Sequence, residues 1–150
     1  MELTVIEKHK TFKKLSKIFW IFIIGSILGF IIETLVTIIK NENFRQVLVL
    51  SSFIPVYGLG FVIFYIILPN AETNVQTFIA SFVLGGIIEY LFSYFQERYF
   101  GIVSWDYSNL LFNLNGRTSL IHCIFWGIVG ILFMKVIYPC ISNLYKINKK

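Results

Sequence analysis

At 150 residues, with 57% hydrophobic and only 14% charged residues and a mean hydropathy of +0.75, the chain has too little polar material to cover a soluble domain. The excess of 13 basic over 8 acidic residues gives a net charge of +5, gathered mostly toward the two ends, where it reads as a topology signal and a contact with anionic lipid headgroups. No interleaving of basic and aromatic residues points to nucleic acid, and that class of partner is set aside.

Four apolar runs, residues 18–39, 47–68, 75–95 and 118–138, are long enough to cross a hydrocarbon core of about 30 Å, which takes roughly 20 helical residues. Lipid offers the backbone no hydrogen-bond partners, so each run is expected to close its own bonds as a helix. The fold class read from this is an all-α membrane protein, a single integral domain over 1–150 with four transmembrane helices.

The first run follows Lys8, Lys10, Lys13, Lys14 and Lys17. Its apolar stretch is too long for a signal peptide, and no small-residue cleavage site follows. Within it lies LGFIIETL, Leu28 to Leu35, which returns 56 residues later in the third run as LGGIIEYL, Leu84 to Leu91. Over Phe22 to Leu35 and Phe78 to Leu91, eight of fourteen positions are identical, Gly29/Gly85 and Glu33/Glu89 among them. Residues four apart share a helix face, so Gly29, Glu33 and Thr37 form one stripe and Gly85, Glu89 and Ser93 its counterpart. Gly25 and Gly29 also make a G-x-x-x-G packing pair.

An ionisable side chain in a bilayer core costs about 3 kcal/mol on insertion scales. Two at equivalent positions imply a shared purpose. Desolvation penalises the ionised form there unless a cation pairs with it. Glu33 and Glu89 are therefore read as groups that bind a cation, relay a proton or hold a cationic solute; the other reading is that each bonds a neighbouring helix and fixes the bundle.

The second run carries Pro55-Val-Tyr-Gly-Leu-Gly60. Proline removes one backbone amide, so a kink is expected, with Tyr57 and Gly58 beside it and free backbone groups offered to a solute or simply bent aside. Tyr57-Gly58 aligns with Trp126-Gly127 of the fourth run, and Phe64 with Phe133, once thirteen residues are allowed before the fourth run. The pattern predicts a tandem parallel two-helix repeat about an axis along the membrane normal.

The long connection, 96–117, holds Trp105-Asp-Tyr-Ser108 and Asn113-Leu-Asn-Gly-Arg117. Trp105 and Tyr107 suit the headgroup layer. Asn115-Gly116 is a turn signal, and Asp106 with Arg117 could make an ion pair of small energy. Leu110, Leu111 and Phe112 form an apolar run expected to avoid water, with Arg117 in reach of Asp106 or Glu89. The segment is either a lid over the bundle mouth or a solvated connector.

His122 enters the fourth run at about the depth of the glutamates, either as a satisfied bundle histidine or as a reactive one. Cys123 and Cys140 have no metal-site spacing, and a disulfide is disfavoured at the inner end. Four crossings place both ends on one side. Lys146, Lys149 and Lys150, near Lys135, match the N-terminal lysines, so that side is read as cytoplasmic and the protein as a multi-pass cell-membrane protein. No nucleotide-binding or hydrolase motif is present and no cofactor is called for.

In order along the chain, GFIIETL, IPVYGLG, IIEYLFSY, WDYS, NLNGR and FWG resemble the ABC-transporter permease proteins of the CmpB-like, type IV group, over about Phe19 to Gly130. WDYS followed by NLNGR is the most specific part. The chain departs from the pattern with Ser51-Ser52 before the P-x-Y-G motif, where Gly-Pro is expected, and with Ser104, where a second tryptophan is usual. The resemblance implies a bacterial transporter component. The internal loop, Pro69 to Asn74, is too short for a substantial coupling helix, so an ATPase, if one is involved, must be a separate chain docking on the termini or through another membrane subunit.

The reading that follows is a transport-related protein, a homo-oligomer or a subunit, binding a cation or small solute at Glu33, Glu89, Tyr57, His122, Asp106 and Arg117. Gly29, Gly85, Pro55, Gly58, Trp105 and Asn115 support that site. The alternatives are a membrane enzyme or lipid-headgroup handler using Glu89, Asp106, His122 and Arg117, and a structural or regulatory subunit.

Overall fold

The computed structural model describes residues 2–39 and 54–147. They form α1 (Glu2–Ile39), α2 (Ile54–Ile67) closed by a 3-10 turn at Leu68–Asn70, and α3 (Asn74–Phe100). A two-stranded antiparallel hairpin follows, β1 (Asn113–Leu114) with β2 (Thr118–Ser119), and then α4 (Leu120–Leu132). A π-helical segment, Phe133–Ile137, leads from α4 into α5 (Tyr138–Ile147). Three stretches, Thr11–Val36, Asn74–Phe100 and Leu120–Leu144, are long and apolar enough to cross a membrane, and Pro55–Asn70 is a shorter apolar helix. The described residues are mostly helical, with strands confined to the short hairpin, and the apolar helices are those of a membrane protein. The expected start of the second run, at 47–53, lies outside the described residues, and with it Ser51 and Ser52.

The helix limits differ from the expected spans for identifiable reasons. The lysine-rich segment before residue 18 is itself helical from Glu2, since leucine, lysine and glutamate favour helix wherever the bilayer ends. Thr73 caps α3, its hydroxyl accepting from the Gln76 amide at 3.1 Å while the Gln76 side chain accepts from the Thr73 amide at 3.1 Å. The far end of α3 runs past residue 96 to Phe100, stopped by Gly101 at φ +66°, a left-handed position that favours glycine. Thr118 and Ser119 belong to β2, which delays α4 to Leu120. The last helix continues beyond Tyr138 despite Pro139. Proline lacks an amide and its ring crowds the carbonyl four residues back, and the π-helical segment immediately before it widens the turn there.

Two antiparallel helix pairs, α1 with α2 and α3 with α4, meet along an aromatic seam. The rings of Tyr57 and Trp126 lie 5.2 Å apart, Phe64 and Phe133 6.1 Å, and Phe61 and Phe133 5.1 Å. Contacts of Tyr57 with Phe125, Phe61 with Phe133 and Tyr65 with Tyr138 run in the same order along both helices, so α2 and α4 are parallel. Within each pair a glycine permits the approach: a Cβ on Gly29 would enter the Tyr57 ring, and one on Gly85 would enter the Trp126 indole. At the end away from the hairpin, Lys17 lies 4.9 Å from the Tyr65 ring and 5.9 Å from that of Tyr138, tying α1 to α2 and α5.

Candidate functional site

Glu33 on α1 and Glu89 on α3 each accept from a tyrosine hydroxyl. Tyr57, buried on α2, donates to Glu33 Oε1 at 2.5 Å. Tyr107, from the connection after α3, donates to Glu89 Oε1 at 3.3 Å, and Thr118 Oγ1 of β2 donates to Glu89 Oε2 at 2.7 Å. Glu89 is 4% exposed, which makes these bonds necessary, because a buried carboxyl without donors costs several kcal/mol.

Tyr107 donates to Glu89 and lies within the field of Glu33. Burial, followed by the charges of Glu89 and Glu33, pushes its phenol up from the ordinary value, so it stays protonated as a donor. Its ring stacks on His122, with centroids 3.7 Å apart and planes at 15°. His122 Nδ1 lies 2.7 Å from Ser119 Oγ. Trp105 is buried, stacked on Phe92 and against Tyr107, and donates its indole N–H to the Arg117 carbonyl at 2.8 Å. The Trp105 N–H, removed from water by this burial, is met by a backbone acceptor, as an indole inside a fold requires.

The connection therefore folds over the end of the bundle that bears the glutamates. Tyr107 N donates to Gly116 O at 2.8 Å, drawing the two arms together. Asn113 donates to the carbonyls of Ser108 and Leu110 and accepts from Gly116 N. Asn115, at φ +52°, donates to the Tyr90 hydroxyl at 3.1 Å. The run Leu110, Leu111 and Phe112, expected to avoid water, is exposed, with Leu111 at 84% and Phe112 at 80%. It forms the tip of the connection, which the inward turn of Trp105 and Tyr107 pushes outward.

Arg117 reaches neither Asp106 nor Glu89 as its ion-pair partner. It pairs with Glu97 on the last turn of α3, bonds Ser93 Oγ at 3.2 Å and lies over the rings of Tyr90 and Tyr94. Asp106 faces water and accepts from the Ser108 amide at 2.9 Å, a bond that holds its carboxyl below the usual carboxylate range. Glu33, Glu89 and Tyr57 are thus brought to one end of the bundle with His122 and Trp105 nearby, while Asp106 and Arg117 serve the loop. Pro55 is half-buried at the start of α2, and Gly58 packs against Phe22 and Ser26 of α1.

Tyr107, Thr118 and Glu97 were not among the expected site residues. Tyr107 reads as an interfacial aromatic and Thr118 as the first residue of a helix; only the fold-back of the connection makes them donors to a buried acid. Among the described residues no group of three or more His, Cys, Asp or Glu side chains is placed to hold a metal ion.

A family model described as "Putative ABC-transporter type IV" matches residues 20–150. No curated protein and no solved structure matched the chain.

Proposed function

This chain belongs to that ABC-transporter type IV family, and from this premise we propose that it is a transporter component that holds a cation or small cationic solute at Glu33 and Glu89. The observation that carries the reading is the pair of tyrosine hydroxyls donating to the two glutamates, Tyr57 to Glu33 and Tyr107 to Glu89, at one end of the bundle. Carboxylates bonded by Tyr57 and Tyr107, with Phe125 and Trp126 packed on the Tyr57 ring, suit an organic ammonium ion, which gains from both charge and aromatic faces.

A two-fold repeat would explain why the acids converge, and equivalent contacts support it. Gly29 packs on Tyr57 as Gly85 packs on Trp126, and Gly58 packs on Phe22 as Gly127 packs on Phe78. Tyr57 meets Trp126, and Phe64 meets Phe133, across the seam. In each case the partners occupy matching positions of the two halves, as residues beside a rotation axis along the membrane normal would. The lysine distribution supports cytoplasmic termini and an outward-facing acid end. The turn at Leu68–Asn70 is too short to push against, so an ATPase would engage other parts of the assembly.

Calorimetry in lipid nanodiscs tests the reading with tetramethylammonium, sodium and glucose as probes. The expected result is saturable binding of tetramethylammonium that falls at least tenfold in Glu89→Gln, with glucose inert. Absence of cation binding by the folded protein, or equal binding by Glu33→Gln, Glu89→Gln and the native chain, would overturn it.

A further inference from the structure

Beneath the hairpin, α3 and the first turn of α4 line two apolar cavities of about 330 and 460 Å³ that share Phe82, Leu114, Thr118 and Cys123. They are two lobes of one groove. Its rim on α3, Val83, Ile87 and Leu91, is exposed on a membrane-crossing helix, so the groove opens sideways into hydrocarbon. Gly86 keeps it deep, since a Cβ there would come to 2.7 Å from Cys123 Sγ.

Among the polar residues that line the groove, Thr118 is the one bonded to Glu89. Thr118 is 6% exposed and donates to Glu89 Oε2 at 2.7 Å, so a single hydroxyl separates the groove from the buried carboxyl. The route to Glu89 from the loop end is different. There the stacked rings of Trp105, Tyr107 and His122 cover it. The overhang above the groove carries Phe112 and Leu114, both exposed and apolar, and Phe112 and Asn115 hold positive φ of +53° and +52°. Surrounding bonds fix these positions, here those of Asn113 and Asn115.

We propose that the ligand of the acid site is an amphiphile, a long-chain amine whose hydrocarbon chain lies in the groove between α3 and α4 and whose ammonium head reaches Glu89 past Thr118. This rests on the reading of Glu89 as a cation site and names the class of its ligand. The groove matches an alkyl chain in being apolar along its length and continuous with the bilayer-facing surface, and the carboxyl at its inner wall matches the charge of the head. A chainless cation would have to enter through the aromatic cover.

The test uses the full chain in phosphatidylcholine nanodiscs with a photoactivatable octadecylamine, the photoactivatable C18 fatty acid and tetramethylammonium. The amine is expected to label peptides from α3 residues 82–91 and from 112–123, at least fivefold more than the fatty acid does, and unlabelled octadecylamine should compete. In Cys140→Ser, octadecylamine should also slow modification of Cys123 by a membrane-soluble maleimide. Ile87→Trp, a change on the exposed rim, should abolish groove labelling while leaving tetramethylammonium binding intact. Equal labelling by amine and acid in the native chain, or labelling indifferent to Ile87→Trp, overturns the amphiphile. If tetramethylammonium binding is then still lost in Glu89→Gln, the acid site stands without it. Groove labelling that prefers the amine and keeps that preference in Glu89→Gln assigns the head to another group and overturns the amphiphile, while the acid site stands or falls by tetramethylammonium binding.

Discussion

Tyr107 and Glu89 are eighteen residues apart in sequence and joined by a hydrogen bond of 3.3 Å, so a residue of the connecting loop closes over a carboxyl set within a membrane-crossing helix. Tyr107→Phe removes the donor and keeps the ring, which still stacks on His122 and Trp105. A hydrogen bond to a charged group contributes about 1.5–3 kcal/mol, so losing a donor that favours the ionised carboxylate should lower cation affinity by roughly tenfold, with the thermal transition moved by a few degrees. Tyr57→Phe should act in the same direction through Glu33. Calorimetry and thermal unfolding on the same preparations separate the two effects.

Close approach of the helices gives a second expectation. Gly85→Leu forces a side chain into the Trp126 indole, and overpacking of this kind costs about 1–3 kcal/mol or more. Gly101→Ala meets nothing within 4 Å, yet its φ of +66° makes the backbone unfavourable by about 1 kcal/mol. Thermal unfolding in detergent should rank Gly85→Leu as the more damaging. The reverse order would mean that the α3/α4 contact is loose enough to admit a leucine.

Arg117 and Glu97 form an ion pair in which Glu97 is about half exposed, so water screens it. A double-mutant cycle with Arg117→Ala and Glu97→Ala should give a coupling of about 1 kcal/mol or less. Arg117→Ala alone should cost more than the cycle suggests, because it also loses Ser93 and the rings of Tyr90 and Tyr94.

Asp106 lends the turn a pH dependence of defined sign. Its carboxyl is held below the ordinary range by the Ser108 amide, so the bond stabilises the turn above the unfolded value, about 3.9, and is lost as pH falls through the lower folded value. The Ser108 amide resonance should shift only in that acid window, and Asp106→Asn should remove the transition.

Reporter fusions address orientation. A reporter active only outside the membrane should work when inserted after Asn109 and stay silent after Ile147; the opposite pattern would reverse the arrangement drawn from the lysines.

The helical runs and the two glutamates were legible in the sequence because apolar length and an acid within it are local signals. Glu33 and Glu89 could be paired from the recurrence of Gly and Glu at the same spacing. What could not be read is how the connection returns. WDYS signals an interfacial aromatic cluster, and nothing local says that Trp105 will find the Arg117 carbonyl or Tyr107 the Glu89 carboxyl, both of which depend on the Gly101 stop and the Asn113 turn. Arg117 reads from the sequence as within reach of Asp106 or Glu89, whereas α3 brings Glu97 and Ser93 alongside it.

The claim at the centre of this account is that Glu33 and Glu89 make one cation site. The most direct measurement is tetramethylammonium binding, in nanodiscs, to Glu33→Gln, Glu89→Gln and the double variant. A single shared site gives a tenfold or larger loss in each single variant and a double variant little worse than the weaker single, with an interaction energy of about 0.5–3 kcal/mol. Strictly additive losses would mean two separate sites, and native affinity in all three folded variants would leave the glutamates a packing role alone, contradicting the account.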